Sequence, residues 1–137
     1  MKVMLEPDAY KPERAYSTDA GLDIKAMHDG IVRAKQSATF HTGIHIQLPD
    51  GTMGDIRPKS GLMFKHDLLT FGTVDMGYSS EIMVHMFNLS DNDYLVRRGD
   101  KIAQLVVADI RIEDVEIVDY IEGGERQHNG FGSTGYR

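Results

Sequence analysis

The segment at residues 57–62 combines residue types that suit contact with a phosphate group. It reads Arg-Pro-Lys-Ser-Gly-Leu and places a cation, a hydroxyl and a glycine at the predicted boundary between a strand and a short helix. Backbone N–H groups at such a boundary can bind an anion, and the Ser60 hydroxyl adds a donor. An ordinary turn capped by Ser60 is the alternative, and this segment taken alone favours that alternative.

A second segment, residues 72–81, combines a carboxylate with an aromatic ring in a glycine-containing hairpin. The exposed backbone groups of such a hairpin can read the edge of a flat base. Asp75 taken singly is explained as a turn-forming residue, and Tyr78 as an aromatic at the edge of the core. The chemical interpretation therefore depends on the other segments.

Two further polar residues lie within predicted strands. Asp23 alternates with Leu22 and Ile24, which predicts a solvated strand face that also carries Lys25. Gln104 interrupts an apolar strand, where an unpaired amide is costly, so the sequence predicts a specific partner for it.

Short apolar or alternating runs separated by turns indicate an all-β fold, namely a sandwich, jelly roll or barrel. Residues 44–48 alternate before the turn at 49–51, and residues 52–57 are predicted to run back antiparallel to them. Residues 102–107 predict a buried strand. Residues 82–87 are apolar on both faces, which predicts burial on both sides, as in an oligomer core. One short helix is predicted at about residues 60–65.

The last fifteen residues differ in composition from the rest. Residues 123–137 contain five glycines, with Phe131 as the one large apolar side chain. Such a segment cannot bury enough surface to hold itself folded. We therefore divide the chain into a β-barrel domain, residues 1–122, and a flexible glycine-rich C-terminal arm, residues 123–137. A frayed tail is the alternative for the arm.

Composition excludes several classes of function. The 137 residues include no cysteine, which excludes a disulfide framework, a cysteine-based zinc site and a thiol nucleophile. The net charge of −6 offers no general basic surface for a nucleic acid polymer. The apolar stretch after Lys2 is too short for a signal peptide or a membrane span, so we expect a cytoplasmic protein (host cytoplasm for a viral source).

Five segments, taken in order, resemble the five motifs of the trimeric dUTPase family. They are residues 20–26, 57–62, 72–82, 99–105 and 126–135. The resemblance implies a distorted jelly-roll barrel and hydrolysis of dUTP to dUMP and pyrophosphate, which limits uracil in DNA. It also implies Mg²⁺ as cofactor and a homotrimer with shared active sites.

The resemblance also implies roles for individual residues. Asp75 matches the carboxylate that deprotonates the water attacking the α-phosphorus, and Tyr78 matches the aromatic packed under the deoxyribose. Asp23 matches a carboxylate that holds waters of the Mg²⁺ shell. The other positions that match substrate contacts are Lys59, Ser60, Gly61, Gly72, Val74, Gln104, Arg126, Phe131, Gly132, Ser133 and Thr134.

Five positions depart from the family pattern. Lys59 stands where arginine is usual, which replaces a planar fork by a point charge. Gly77 stands where many members have aspartate. Ser80 replaces a glycine and would be strained if that glycine has a positive φ. Gln127 and Asn129 replace glycines of the arm.

The sequence is also compatible with other functions. A dCTP deaminase shares the fold by family analogy, but it needs a different catalytic carboxylate and lacks the full arm motif. A non-enzymatic regulatory binding module and a purely structural jelly roll are further alternatives.

Overall fold

The computed structural model describes residues 1–137 and contains eleven strands and one short helix. In chain order the elements are β1 Lys2–Leu5, β2 Gly21–Lys25, β3 Gly30–Val32, β4 Ser37–Phe40, β5 Ile44–Gln47, β6 Thr52–Arg57, α1 Ser60–His66, β7 Leu68–Thr70, β8 Gly72–Val74, β9 Val84–Asn88, β10 Tyr94–Val96 and β11 Lys101–Asp109. The all-β prediction and the short helix are both confirmed.

The strands form four small antiparallel sheets around one core. The largest has the order β2-β11-β6-β8, and a second has the order β4-β9-β7. Two-stranded sheets join β1 to β5 and β10 to β3. The core contains seventeen buried apolar side chains, with Phe40, Ile44 and Leu105 among the largest that are fully buried. This arrangement of short strands is the distorted jelly roll expected from the sequence.

The predicted pairing of residues 44–48 with residues 52–57 is wrong. β5 pairs with β1, with Leu5 opposite Ile44, whereas β6 pairs with β11 and β8. Gly54 explains part of this choice, because a Cβ there would come within 2.9 Å of the Leu105 side chain. The close approach that this glycine allows packs β6 against the long strand β11, a distant partner that a local turn signal cannot reveal.

The strand predicted at residues 82–87 has one buried face in the single chain. Val84 and Met86 are buried, while Met83 and His85 are exposed on the other side and Phe87 is half-buried. Burial of the second face in an oligomer stays a prediction.

Residues 110–137 contain neither helix nor strand, and nearly all of their side chains are exposed. The division of the chain at residues 122 and 123 stays a prediction. No helix in the structure has the length and apolar character needed to cross a membrane.

Candidate active site

The first, second and fourth motifs meet at one end of the large sheet. Gln104 on β11 lies opposite Asp23 on β2 and opposite Arg57 at the end of β6. The chain then leaves β6 through Pro58 and Lys59. Side-chain contacts join these segments into a group that we call the Asp23 cluster: Asp23, Lys59, Lys101 and Gln104.

Asp23 is only 5% exposed and carries two lysine partners, so the predicted solvated face is wrong. Lys59 Nζ donates to Asp23 Oδ1, and Lys101 Nζ lies 2.7 Å from Asp23 Oδ2. Burial alone would raise the pKa of the Asp23 carboxyl, but the hydrogen bonds from Lys101 and Lys59 outweigh it and lower that pKa. The Asp23 carboxylate is therefore a buried anion, compensated by lysines from two distant segments.

Gln104 has a specific hydrogen-bond partner, as the sequence predicted for an amide within an apolar strand. Its Nε2 donates to the Pro58 carbonyl over 3.0 Å, which ties β11 to the segment before α1. The capping explanation for Ser60 is wrong, because α1 has Lys59 as its N-cap and no side-chain cap. Ser60 is exposed as the first helical residue, and a Cβ at Gly61 would meet nothing within 4 Å. Both residues are open to a ligand.

The third motif forms a loop, residues 75–83, between β8 and β9, which we call the Asp75 loop. A cavity of about 240 Å³ lies beside it, lined by Ile56, Gly72, Thr73, Val74, Asp75, Tyr78, Glu81, Ile82 and Met83. Asp75 and Tyr78 are both exposed at its rim.

Glu81, which lies within the third motif but received no role from the sequence, anchors this loop. Its carboxylate accepts hydrogen bonds from the backbone N–H groups of Thr42 and Gly43, at 3.0 and 2.9 Å, and contacts His41 Nδ1 at 2.9 Å. Its backbone carbonyl accepts the Tyr78 hydroxyl at 2.8 Å, which fixes the edge of that ring. These partners lie far away in sequence, so no local pattern indicates them.

The departures from the family pattern in this loop cause no strain. Ser80 is absent from the residues with positive φ, so the expected cost of a side chain there does not arise. A Cβ at Gly77 would meet nothing within 4 Å. In the arm, by contrast, Gln127 has φ 47°, in the left-handed region that favours glycine.

The structure does not bring the arm to either group of residues. Arg126, Phe131, Ser133 and Thr134 are exposed, and the backbone hydrogen bonds of residues 123–137 are local turns such as Ser133 N–H to the Gly130 carbonyl. No hydrogen bond or ion pair joins the Asp75 loop to the Asp23 cluster either. Within one chain the arm, the Asp75 loop and the Asp23 cluster are therefore not joined by any polar contact, although β6 lies between the strands that carry the last two groups.

The residues fit a magnesium ion carried by a ligand better than one held by the protein alone. No group of three His, Cys, Asp or Glu side chains converges anywhere. Asp23 lies close to the exposed start of α1, because Lys59, the residue before the helix, contacts it, and carboxylate oxygen is a suitable ligand or hydrogen-bond acceptor for a hydrated Mg²⁺. The donor set is sufficient for an ion whose main ligands are phosphate oxygens.

Known proteins resemble this chain along its whole length. The dUTPase family model matches residues 8–135. The deoxyuridine 5'-triphosphate nucleotidohydrolase of Gloeothece citriformis is 44% identical over 134 residues, covering 96% of this chain and 92% of that protein. The corresponding protein of Kluyveromyces lactis is 41% identical, with 98% and 93% covered.

Solved structures give the same result. A variant of the Staphylococcus bacteriophage 80alpha dUTPase with dUpNHpp has a TM-score of 0.91 and 27% identity, covering 98% of this chain and 97% of that one. A variant of the dUTPase from phage phi11 of S. aureus, described with a structural Mg(II) ion, has a TM-score of 0.81 and 25% identity, with 89% and 98% covered. The sequence motifs, the fold and these matches agree, and the chain belongs to the dUTPase family of enzymes.

Proposed function

We propose that the protein hydrolyses dUTP to dUMP and pyrophosphate, a reaction of nucleotide metabolism that limits uracil in DNA. The observation that carries this proposal is the position of Asp75. It is an exposed carboxylate directly after the edge strand β8, beside Tyr78 and the cavity that both residues line. The match to the dUTPase family over residues 8–135 supports the same activity.

Asp75 is the proposed general base. Its carboxylate accepts a proton from a water molecule while the water oxygen forms a bond to the α-phosphorus. The bond from the α-phosphorus to the oxygen that bridges to the β-phosphate breaks, and pyrophosphate leaves. This reaction depends on positioning and charge neutralisation rather than on a covalent intermediate, which suits a chain without cysteine.

The free edge of β8 supports selection of the base. β8 is the last strand of the large sheet, so the backbone N–H and C=O of Thr73, which point away from β6, have no strand partner, whereas those of Gly72 and Val74 on either side of it face β6. Uracil presents alternating acceptor, donor and acceptor groups to such an edge. Cytosine would place an amino group against a backbone N–H donor, and an unmatched polar pair is costly when buried.

Tyr78 is the proposed sugar selector. Its hydroxyl donates to the Glu81 carbonyl, so the ring cannot easily turn away from the rim of the cavity. A deoxyribose can pack on the face of this ring. A ribose 2′-hydroxyl would meet the ring without a partner, which disfavours UTP.

The Asp23 cluster is the proposed phosphate site. Lys59 supplies positive charge, Ser60 and Gly61 supply donors at the open start of α1, and Gln104 holds the preceding segment in place. Mg²⁺ bound to the triphosphate supplies further charge neutralisation. Asp23 would accept hydrogen bonds from the waters of that ion, which requires Lys59 or Lys101 to leave its carboxylate.

We infer that a complete site needs several copies of the chain, in a homotrimer with shared active sites. The lack of any hydrogen bond between the arm and the rest of its own chain supports this inference. So does the row of exposed apolar side chains that precedes the arm: Ile112, Val115, Ile117 and Ile121 are each at least 75% exposed. Such a row favours contact with another subunit.

The arm would complete the site from a neighbouring subunit. Arg126 is assigned to the γ-phosphate, Phe131 to the exposed face of the uracil, and Gly132, Ser133 and Thr134 to the phosphates. Closure of a segment of this kind positions the phosphates and excludes water from the reaction.

A single assay tests the proposal. The protein is incubated with Mg²⁺ and dUTP, UTP or dCTP, and pyrophosphate and ammonia are both measured. Pyrophosphate from dUTP alone supports the assignment. Ammonia from dCTP would identify a deaminase, and the absence of turnover with all three nucleotides would favour a binding or structural role.

A further inference from the structure

The imidazole of His45 lies between two hydrogen-bond acceptors, one of which belongs to the Asp75 loop. On β5, His45 Nδ1 is 2.9 Å from the Ser79 carbonyl oxygen, and its Nε2 is 2.9 Å from Glu6 Oε1. The side chain is 18% exposed. Because neither partner can donate, both contacts are hydrogen bonds only when both ring nitrogens carry protons.

This contact holds the part of the loop that has no other anchor. Beyond the turn bond from Tyr78 N–H to the Asp75 carbonyl, the backbone of residues 77–80 makes no hydrogen bond to another backbone group. The loop is fixed at one end by β8 and at the other by Glu81 and by Ile82, whose N–H donates to the Ile44 carbonyl. The contact from His45 to Ser79 is therefore the one hydrogen bond that holds residues 79–80 of the loop to another part of the chain.

We propose that His45, oriented by Glu6, is a positioning residue that fixes the Asp75 loop for catalysis. The inference rests on the proposed function, because it assumes that Asp75 and Tyr78 act on a nucleotide. The mechanical connection runs from Glu6, which follows β1, through the β5 imidazole to the loop backbone. The amino-terminal strand thereby takes part in shaping the site.

The groups around His45 favour the doubly protonated imidazole, which is the form that donates to both Glu6 and Ser79. The hydrogen bond to Glu6 raises the pKa of His45 most, followed by the bond to Ser79, while desolvation opposes them and the charges of Glu6 and Glu81 add to the rise. Lys2 of β1 lines a second cavity together with His45 and Ser79, and it is the cation on that side. Raising the pH through the elevated pKa removes one proton and one of the two bonds.

Two substitutions separate the two contacts. The amide nitrogen of asparagine can take the place of Nδ1, so His45→Asn retains a donor for Ser79 and loses the contact to Glu6. The amide of glutamine reaches the place of Nε2, so His45→Gln retains the contact to Glu6 and loses Ser79. His66→Gln, on a histidine that makes no hydrogen bond, is the matched control.

The expected result is a loss of kcat in His45→Gln of about three- to ten-fold, the effect of one hydrogen bond. KM for dUTP should change less. His45→Asn should stay near the parent at neutral pH and should lack the alkaline decline in kcat that the titrating imidazole produces. Equal losses in both variants, parental activity in His45→Gln, or an unchanged alkaline decline in His45→Asn would each overturn the proposal.

Glu6→Gln provides a test that does not depend on altering β5. Glu6 is partly exposed, so its replacement does not threaten the core. The alkaline decline should move to lower pH, because the carboxylate that stabilises the imidazolium is gone; an unmoved profile counts against the proposal. Hydrogen exchange of the amides in residues 75–83, which should be faster in His45→Gln than in the parent, requires no turnover. It therefore separates failure of this inference from failure of the proposed activity.

Discussion

Gly21 lies directly against the side chain of Gln104: a Cβ at residue 21 would come within 2.2 Å of Gln104 Oε1 and 3.0 Å of Gln104 Cβ. β2 and β11 can therefore lie side by side, with the amide still bonded to the Pro58 carbonyl, only when residue 21 has no side chain.

Gly21→Ala should displace Gln104 and release the segment that leads into α1. We expect KM for dUTP to rise by about three- to ten-fold through loss of the Pro58 bond, with a smaller effect on kcat. Steady-state kinetics measure the change. A parental KM in Gly21→Ala would show that the position of Gln104 does not matter for substrate.

Asp75→Asn should retain nucleotide binding and lose most turnover. The amide cannot accept the proton of the attacking water, and removal of a general base costs about 10²- to 10⁴-fold in kcat. Turnover is measured by pyrophosphate release, and binding by titration with a non-hydrolysable dUTP analogue. Asp50→Asn, in an exposed turn, controls for loss of a surface carboxylate. Turnover within a few-fold of the parent would rule out the assigned role of Asp75.

Tyr78→Ala should weaken the discrimination between dUTP and UTP. The ring that would exclude a 2′-hydroxyl is gone, so the ratio of the two kcat/KM values should fall by about ten-fold or more, while the preference over dCTP persists because backbone groups provide it. Tyr78→Phe retains the ring and loses only the hydroxyl bond to Glu81. It should retain the sugar preference; loss of that preference in Tyr78→Phe would contradict a steric role for the ring.

The lowered pKa of Asp23 predicts the direction of an acid effect on stability. A carboxyl whose folded pKa is below its unfolded value stabilises the fold above the unfolded pKa, and this stabilisation disappears as pH falls through the folded value. Thermal unfolding of the parent should therefore show a steeper loss below about pH 4 than Asp23→Asn does. At neutral pH the variant should be less stable, because Lys59 and Lys101 then lie close together without their counter-ion. Parallel pH profiles would refute this prediction.

Subunit mixing tests whether the sites are shared. Asp75→Asn with an intact arm is co-expressed with a chain that has Asp75 and ends at Glu122. Either alone should be nearly inactive. In random mixed trimers about one site in four should have both a working Asp75 and an arm from another chain. Lack of rescue in verified mixed trimers would show that each site is built within one chain.

Local sequence patterns predicted where the strands and the helix lie better than they predicted which strands pair with one another. The alternation in residues 44–48 and the apolar run at 102–107 both correspond to strands, and Ser60 begins the predicted helix. The pairing of β5 with β1 could not be read from the sequence, because the turn signal after Leu48 fits a hairpin equally well.

The candidate active site was likewise only partly predictable, because local sequence patterns do not reveal contacts between distant segments. The motif residues were identified by resemblance, but the burial of Asp23 was missed, because period-two alternation cannot tell a solvated face from one covered by lysines of other segments. Glu81 and His45 act through contacts more than thirty residues apart in sequence. Glu81 lies inside the third motif but received no role there, and nothing near His45 distinguishes it from an ordinary polar residue.

The free edge of β8 has a consequence for how this enzyme can change. If main-chain groups read the base, every amino acid at Gly72 to Val74 presents nearly the same pattern of donors and acceptors. Exchanging one side chain there then leaves base preference intact, so single missense mutations seldom create an enzyme that consumes the wrong pyrimidine nucleotide. A new preference would require the strand itself to be rebuilt by insertion or deletion. The preference for one base is therefore maintained by the backbone of the strand and does not depend on the side chain at any single position.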